Sequence, residues 1–129
     1  MNVMVPLAQG AEEMETVIVV DTLRRAEWNV KTVGLEAGVV TASRGVRLVP
    51  DLVWEDADLS SFGMIVLPGG MGGTLTLRQD RRVLDGLRLF ADQDKWVASI
   101  CAAALVLDRA GVLEGKRFTC YPGVDEGRL

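Results

Sequence analysis

Residues 96–107 have the sequence WVASICAAALVL, in which an apolar, partly β-branched run passes directly into a run of alanine and leucine. β-Branched and aromatic residues favour strands, whereas Ala and Leu favour helices, so this stretch predicts a short buried strand followed at once by a helix. Cys101 lies at the joint, where free N–H groups of a helix start stabilise a thiolate and where hydrolases present a nucleophile. Cys101 is therefore either an activated thiol or simply a small buried apolar residue.

The composition limits the class of protein. The chain has 129 residues, of which 49% are hydrophobic, and this predicts one globular domain over residues 1–129 rather than a disordered chain. The net charge of −4 argues against nucleic acid as a partner. No apolar run reaches the roughly 18–20 residues that cross a bilayer, and the N-terminus lacks the basic region of a signal peptide. We expect a soluble, cytoplasmic protein with no membrane partner.

The absence of histidine is the most restrictive feature of the composition. It excludes, within this chain, a Cys-His pair, a Ser-His-Asp triad and a histidine-ligated zinc site. Two cysteines are too few for a disulfide framework in a domain of this size, so we expect reduced thiols. We expect no metal and no organic cofactor. Cys120 is either a resolving thiol or a structural residue.

The rest of the chain alternates short apolar runs with amphipathic segments, which predicts a parallel sheet covered by helices on both faces. The predicted strands are 3–7, 29–34, 64–67, 96–100 and 117–120, and residues 42–45 are predicted to form a turn between two extended segments. Ligand sites in such sheets lie outside the carboxyl ends of the strands. Four loops are therefore expected to converge: 9–15, 69–73, 101–102 and 120–123.

The predicted helix 12–26 and the glycine-rich segment 69–73 flank this edge of the sheet. Glu12 and Glu13 suit capping and solvation of the helix start, whereas Glu15 lies just before an apolar block at residues 17–20. That block predicts a helix buried on two faces, one against the sheet and one against a second subunit. The glycine-rich segment is expected to be a loop with exposed N–H groups, although it lacks the signature of a phosphate loop.

Four separated motifs together carry a resemblance. They are AQGAEEMET at residues 8–16, SRGV at 43–46, VLPGG at 66–70 and ASICAA at 98–103. With them the chain resembles the ThiJ/PfpI superfamily, in the branch of the Parkinson's-disease-associated deglycase. The resemblance implies an α/β protein with a flavodoxin-like three-layer α/β/α sandwich, a mostly parallel sheet, and a homodimer formed through helix 12–26.

The resemblance also implies roles for individual residues. The reactive cysteine of the family falls on Cys101 and its conserved acid on Glu15, and one proton shared between them is the physically sensible state. The oxyanion-binding and substrate-binding segment falls on Gly69 and Gly70, with Ala102 supplying a second backbone N–H group.

Other family positions are matched less closely. The anion-binding arginines of the family fall on Arg25 and Arg44, which are otherwise ordinary surface charges. Tyr121 stands where the human relative has a histidine near the cysteine, and Ala102 stands where the protease branch has one. Both differences argue against a peptidase. The family continues past Leu129 with a further strand and a covering helix, so a missing C-terminal segment or a second chain is expected to cover apolar sheet surface.

These features predict a cofactor-independent, stress-response enzyme of the glyoxalase and deglycase type. Its substrates would be reactive small carbonyls such as methylglyoxal, or their adducts on glycated proteins. Cys101 would be the nucleophile and Glu15 the proton shuttle. The alternatives are a redox sensor or chaperone oxidised at Cys101, and, with less support, an intracellular cysteine peptidase or an inactive interaction module.

Overall fold

A five-stranded parallel sheet forms the centre of the fold in the computed structural model, which describes residues 1–125. The strands, of which β3 and β4 lie outside this sheet, are β1 (Asn2–Leu7), β2 (Asn29–Gly34), β3 (Val40–Thr41), β4 (Arg47–Leu48), β5 (Leu52–Val53), β6 (Met64–Leu67) and β7 (Trp96–Ser99). The helices are α1 (Glu13–Arg25), α2 (Met71–Gln79), α3 (Arg81–Asp92) and α4 (Ala104–Ala110). The order in the sheet is β5-β2-β1-β6-β7, and β3 and β4 form a separate antiparallel hairpin.

This strand order places a topological switch point between β1 and β6. From β1 the chain moves to one side through β2 and β5, and then it returns to β6 on the other side. In open parallel sheets, ligand sites lie at the carboxyl ends of the strands beside such a point. The segments that follow β1 and β6 therefore border the expected site.

Alternation along β1 builds the two apolar layers of the core. Val3, Val5 and Leu7 pack in a cluster with the half-buried apolar residues of α1. Met4 lies in the opposite cluster, to which Phe90 of α3 contributes the largest fully buried side chain. The predicted three-layer α/β/α sandwich is confirmed, with α1 on one face of the sheet and α2, α3 and α4 on the other.

The glycine-rich segment differs from the prediction, because most of it is helical. Helix α2 begins at Met71, immediately after Gly70, so only Gly69 and Gly70 remain as loop. Gly70 is the N-cap and has a φ of 87°, a left-handed conformation that glycine adopts without the steric cost of a Cβ. The loop before the helix is thus short and tightly constrained.

The predicted strand 117–120 is wrong, since these residues form no regular element. A strand requires a backbone partner, and within residues 1–125 nothing pairs with the outer edge of β7. The α1 face of the sheet is also incompletely covered here. Met64, Val66 and Ala98 line an apolar groove of about 330 Å³ beside Ile18 of α1. Residues 42–45 do form the predicted turn, between β3 and β4.

Candidate active site at Cys101

Cys101 is the first residue of a 3₁₀ turn, Cys101–Ala103, which follows β7 sharply and leads into α4. Its φ of 58° is left-handed, which costs a non-glycine residue about 1–2 kcal/mol. Backbone hydrogen bonds hold the turn: the Ile100 N–H donates to the Leu67 carbonyl oxygen, and the Tyr121 N–H donates to the Cys101 carbonyl oxygen, both at 3.1 Å. The turn therefore presents the thiol at the carboxyl edge of the sheet, as the sequence predicts.

Glu15 reaches the cysteine across a single glycine. Its Oε1 accepts a 2.9 Å hydrogen bond from the backbone N–H of Gly69. A Cβ atom at Gly69 would lie 2.5 Å from that Oε1 and 2.8 Å from the Cβ of Cys101. Because such distances are sterically forbidden, only glycine at position 69 lets the carboxyl group and the thiol converge.

The loops after β1 and β6 pack backbone to backbone. The Glu12 N–H donates to the Gly69 carbonyl oxygen at 3.0 Å. A Cβ atom at Gly70 would lie 2.6 Å from the carbonyl oxygen of Gly10 and 2.7 Å from the backbone nitrogen of Glu12. This close approach fixes the start of α1, and therefore Glu15, relative to the loop that faces Cys101.

The groups around the half-buried Cys101 shift the pKa of its thiol in opposite directions. Burial raises the pKa of the Cys101 thiol, and the negative charge of Glu15 raises it further. Hydrogen bonds from the backbone N–H groups of Ala102 and Gly70 lower it, but the net pKa lies above its ordinary value. The N–H groups of the helix start thus favour the thiolate as expected, but burial and the charge of Glu15 outweigh them.

Glu12 and Glu13 have different structural roles. Glu12 is the N-cap of α1, and its Oε2 accepts the Glu15 N–H at 2.8 Å, so its predicted capping role is confirmed. Glu13 is only 8% exposed, which rules out the predicted solvation. Its carboxylate accepts hydrogen bonds from the Ser43 hydroxyl at 2.7 Å and from the Arg44 N–H at 2.9 Å, and so holds the β3–β4 turn.

Glu13 is ionised over a wide pH range. Burial by itself would raise the pKa of Glu13, but the hydrogen bonds from its own helix start and from the β3–β4 turn lower the pKa to about 2. Glu13 thereby ties the start of α1 to the hairpin. The sequence offered no signal for this role, since it depends on a contact across 30 positions of the chain.

Of the other predicted site residues, the structure places Tyr121 beside Cys101 and Arg25 away from it. Tyr121 is held next to Cys101 through its backbone, and its residue surface is 60% exposed. Arg44 is an exposed residue on the turn held by Glu13. Arg25 lies in the last turn of α1, ten residues or about 15 Å along the helix from Glu15, and its Nε donates to Asp21 at 2.9 Å.

The described part of the chain contains no group of three or more acidic, cysteine or histidine side chains placed to hold a metal ion. None of its helices is both long and apolar enough to span a membrane. The chemistry available at this edge of the sheet consists of a thiol, a carboxyl group and backbone N–H groups.

This chain is an α/β sandwich with a parallel sheet, and its cysteine lies on a strained strand-to-helix turn beside a glutamate. These features define a class of cysteine-centred α/β proteins. The chain belongs to the DJ-1/PfpI family, which it matches over residues 1–128. This match confirms the resemblance to the ThiJ/PfpI superfamily.

Individual relatives agree with this assignment. The Drosophila melanogaster protein dj-1beta is 41% identical over 124 residues, which are 95% of this chain and 66% of that protein. A Pyrococcus abyssi protein named as a deglycase is 31% identical over 129 residues, which are 100% of this chain and 77% of the relative. A structure of Toxoplasma gondii DJ-1 in its oxidised form is similar with a TM-score of 0.85 at 35% identity, over 94% of this chain and 67% of the other. The chain thus spans about two thirds of the Drosophila and Toxoplasma proteins.

Proposed function

We propose that this chain carries the active site of a cofactor-independent enzyme that uses Cys101 to attack reactive small carbonyls, such as methylglyoxal or its adducts on glycated proteins. One observation carries the proposal. The Glu15 carboxyl group and Cys101 converge across Gly69, and the backbone N–H groups of Gly70 and Ala102 are close enough to the thiol to lower its pKa. The deglycase name of the Pyrococcus relatives supports the same class of substrate.

The first chemical step follows from this arrangement. Glu15 takes the proton of the Cys101 thiol, and the sulfur forms a bond to the aldehyde carbon. The electrons of the carbonyl double bond move to oxygen, where the N–H groups of Gly70 and Ala102 stabilise the developing charge. Glu15 then returns its proton to that oxygen and leaves a neutral hemithioacetal.

Substrate binding would involve three further predicted residues. Tyr121 is exposed beside Cys101 and Arg44 is exposed on the β3–β4 turn, and we assign both to contacts with an anionic or polar substituent of the substrate. Arg25 lies too far along α1 to act within its own subunit. Its predicted role in anion binding therefore requires a second copy of the chain, packed along helix 12–26.

Consumption of methylglyoxal by the purified chain tests the proposal. Cys101→Ala is expected to reduce the rate to background, and Glu15→Gln to reduce it by about two to four orders of magnitude, the usual contribution of general acid–base catalysis. Cys120→Ala is the matched control and should retain the rate. Equal rates for Cys101→Ala and the unsubstituted chain would refute the proposal.

A redox role of the same thiol is the second candidate. The donors around Cys101 that would stabilise an alkoxide would also stabilise the oxygen atoms of a sulfinate, and the Toxoplasma relative has been solved in an oxidised form. Mild hydrogen peroxide is then expected to add two oxygen atoms at Cys101 and none at Cys120. Intact-mass and peptide-mass measurements distinguish this outcome from an inert thiol.

A further inference from the structure

A second concave site lies on the helical face of the domain, away from Cys101. Helices α2, α3 and α4 line an open cavity of about 580 Å³, called here the arginine cavity. Among the described residues, Asp85 is the one carboxylate that lines it, and four arginines do so: Arg78, Arg81, Arg88 and Arg109. This concentration of positive charge contrasts with the net charge of −4 of the chain.

Most of this positive charge has no partner among residues 1–125. Arg88 is engaged, because its Nη1 contacts Asp85 Oδ1 at 3.2 Å and its Nε donates to the Ala110 carbonyl oxygen at 3.0 Å. Within residues 1–125, the guanidinium groups of Arg78, Arg81 and Arg109 make no hydrogen bond or ion pair. Three complete sets of guanidinium donors therefore remain available to a ligand.

Helix stability accounts for only part of this cluster. Arg78 and Arg109 lie in the last turns of α2 and α4, where positive charge complements the helix dipole. Arg81 lies in the first turn of α3, where the dipole disfavours it. Its neighbour Arg82 already pairs with Asp80, the N-cap of α3, and with Glu36 from the segment after β2. A bound anion would compensate the unfavourable position of Arg81.

The lining also indicates the chemistry of that anion. Guanidinium groups bind phosphate through paired N–H donors, and several converging groups favour several linked charges. Among the described residues that line the cavity there is no aromatic side chain for stacking, and Leu84 is the one apolar residue. We propose that the arginine cavity binds a small anion with two or more linked phosphate groups, and that it recognises these groups by charge rather than through an attached ring.

Binding there is separate from the chemistry at Cys101. Helix α2 starts at Gly70 and α4 follows the Cys101 turn, whereas Arg78 and Arg109 each lie eight residues further on. Eight helical residues correspond to about 12 Å. A ligand in the arginine cavity is therefore expected to leave the alkylation rate of Cys101 unchanged.

Calorimetric titration of the full chain at low ionic strength tests the proposal, with tripolyphosphate as the probe. We expect one saturable site per chain, weaker binding of orthophosphate, and binding that weakens as salt is added. ATP carries the same linked phosphates on a nucleoside and should bind no more tightly than tripolyphosphate. The absence of saturable tripolyphosphate binding would overturn the proposal. ATP binding more than about tenfold tighter than tripolyphosphate would also overturn it, because that factor corresponds to 1.4 kcal/mol of recognition beyond the phosphates.

Matched variants locate the site. The double variant Arg78→Gln/Arg81→Gln should weaken tripolyphosphate binding at least about tenfold, because charged hydrogen bonds are lost. Arg47→Gln removes a positive charge on β4, outside the cavity, and should leave the affinity within about twofold, as expected for a screened distant charge. Asp85→Asn should tighten binding, a gain that misfolding cannot produce. Equal weakening by Arg47→Gln, or no gain with Asp85→Asn, contradicts the assignment.

Discussion

The backbone N–H of Gly69 donates a 2.9 Å hydrogen bond to the carboxylate of Glu15, although 54 positions separate the two residues in the chain. This bond crosses the switch point of the sheet, since Glu15 follows β1 and Gly69 follows β6. It turns Glu15 toward the cysteine at the end of β7. The distance between the acid and the thiol thus depends on three neighbouring strands and on the absence of a side chain at position 69.

Gly69→Ala tests this steric requirement. The new methyl group would overlap both Glu15 and Cys101, and the overpacking should destabilise the fold by about 1–3 kcal/mol. Displacement of Glu15 should lower carbonyl turnover by about a hundredfold, as expected for a misplaced catalytic group. Gly72→Ala is the matched control, because its Cβ would lie 3.7 Å from the nearest atom, in ordinary contact. Equal activity of the two variants would contradict the argument.

Glu15→Gln should change the ionisation of Cys101. The charge of Glu15 contributes to the raised pKa of the thiol, so its removal should lower the pKa of Cys101 and increase the thiolate fraction at neutral pH. The pH dependence of iodoacetamide alkylation measures this shift. The midpoint should move to lower pH even though carbonyl turnover falls. Glu55→Gln, at an exposed position, should leave the midpoint unchanged.

The sequence predicted this site better than it predicted the electrostatics. The strand-to-helix turn at Cys101, the parallel sheet and the convergence of Glu15 with residues 69–70 all followed from local patterns and the resemblance. The direction of the Cys101 pKa did not, because burial and the charge of Glu15 are properties of the folded site. The wrong strand at 117–120 has a similar cause, since a strand depends on a partner elsewhere in the fold.

Glu13→Gln should destabilise the protein in a pH-dependent way. The pKa of Glu13 is about 2 in the folded protein and 4.5 ordinarily, so its charge favours the folded state above pH 4.5. That contribution is lost as the pH falls from 4.5 towards 2. The difference in unfolding free energy between the unsubstituted chain and the variant should therefore be largest near neutral pH. Urea denaturation at pH 7 and pH 3 measures the difference, and Glu55→Gln should show no comparable trend.

Ile18→Glu tests the predicted dimer through helix 12–26. Met14, Val17 and Ile18 form an exposed apolar patch on α1, with exposed fractions of 68%, 50% and 60%. A carboxylate at position 18 costs little in a single chain, but it would be buried without a partner in a dimer. We expect a shift from dimer to monomer in sizing chromatography with light scattering, with an unchanged circular dichroism spectrum. The matched control is Val39→Glu, an exposed apolar residue just before β3 and outside α1, which should leave the assembly intact. A monomeric unsubstituted chain, or an Ile18→Glu variant that stays dimeric, would exclude this face as the interface.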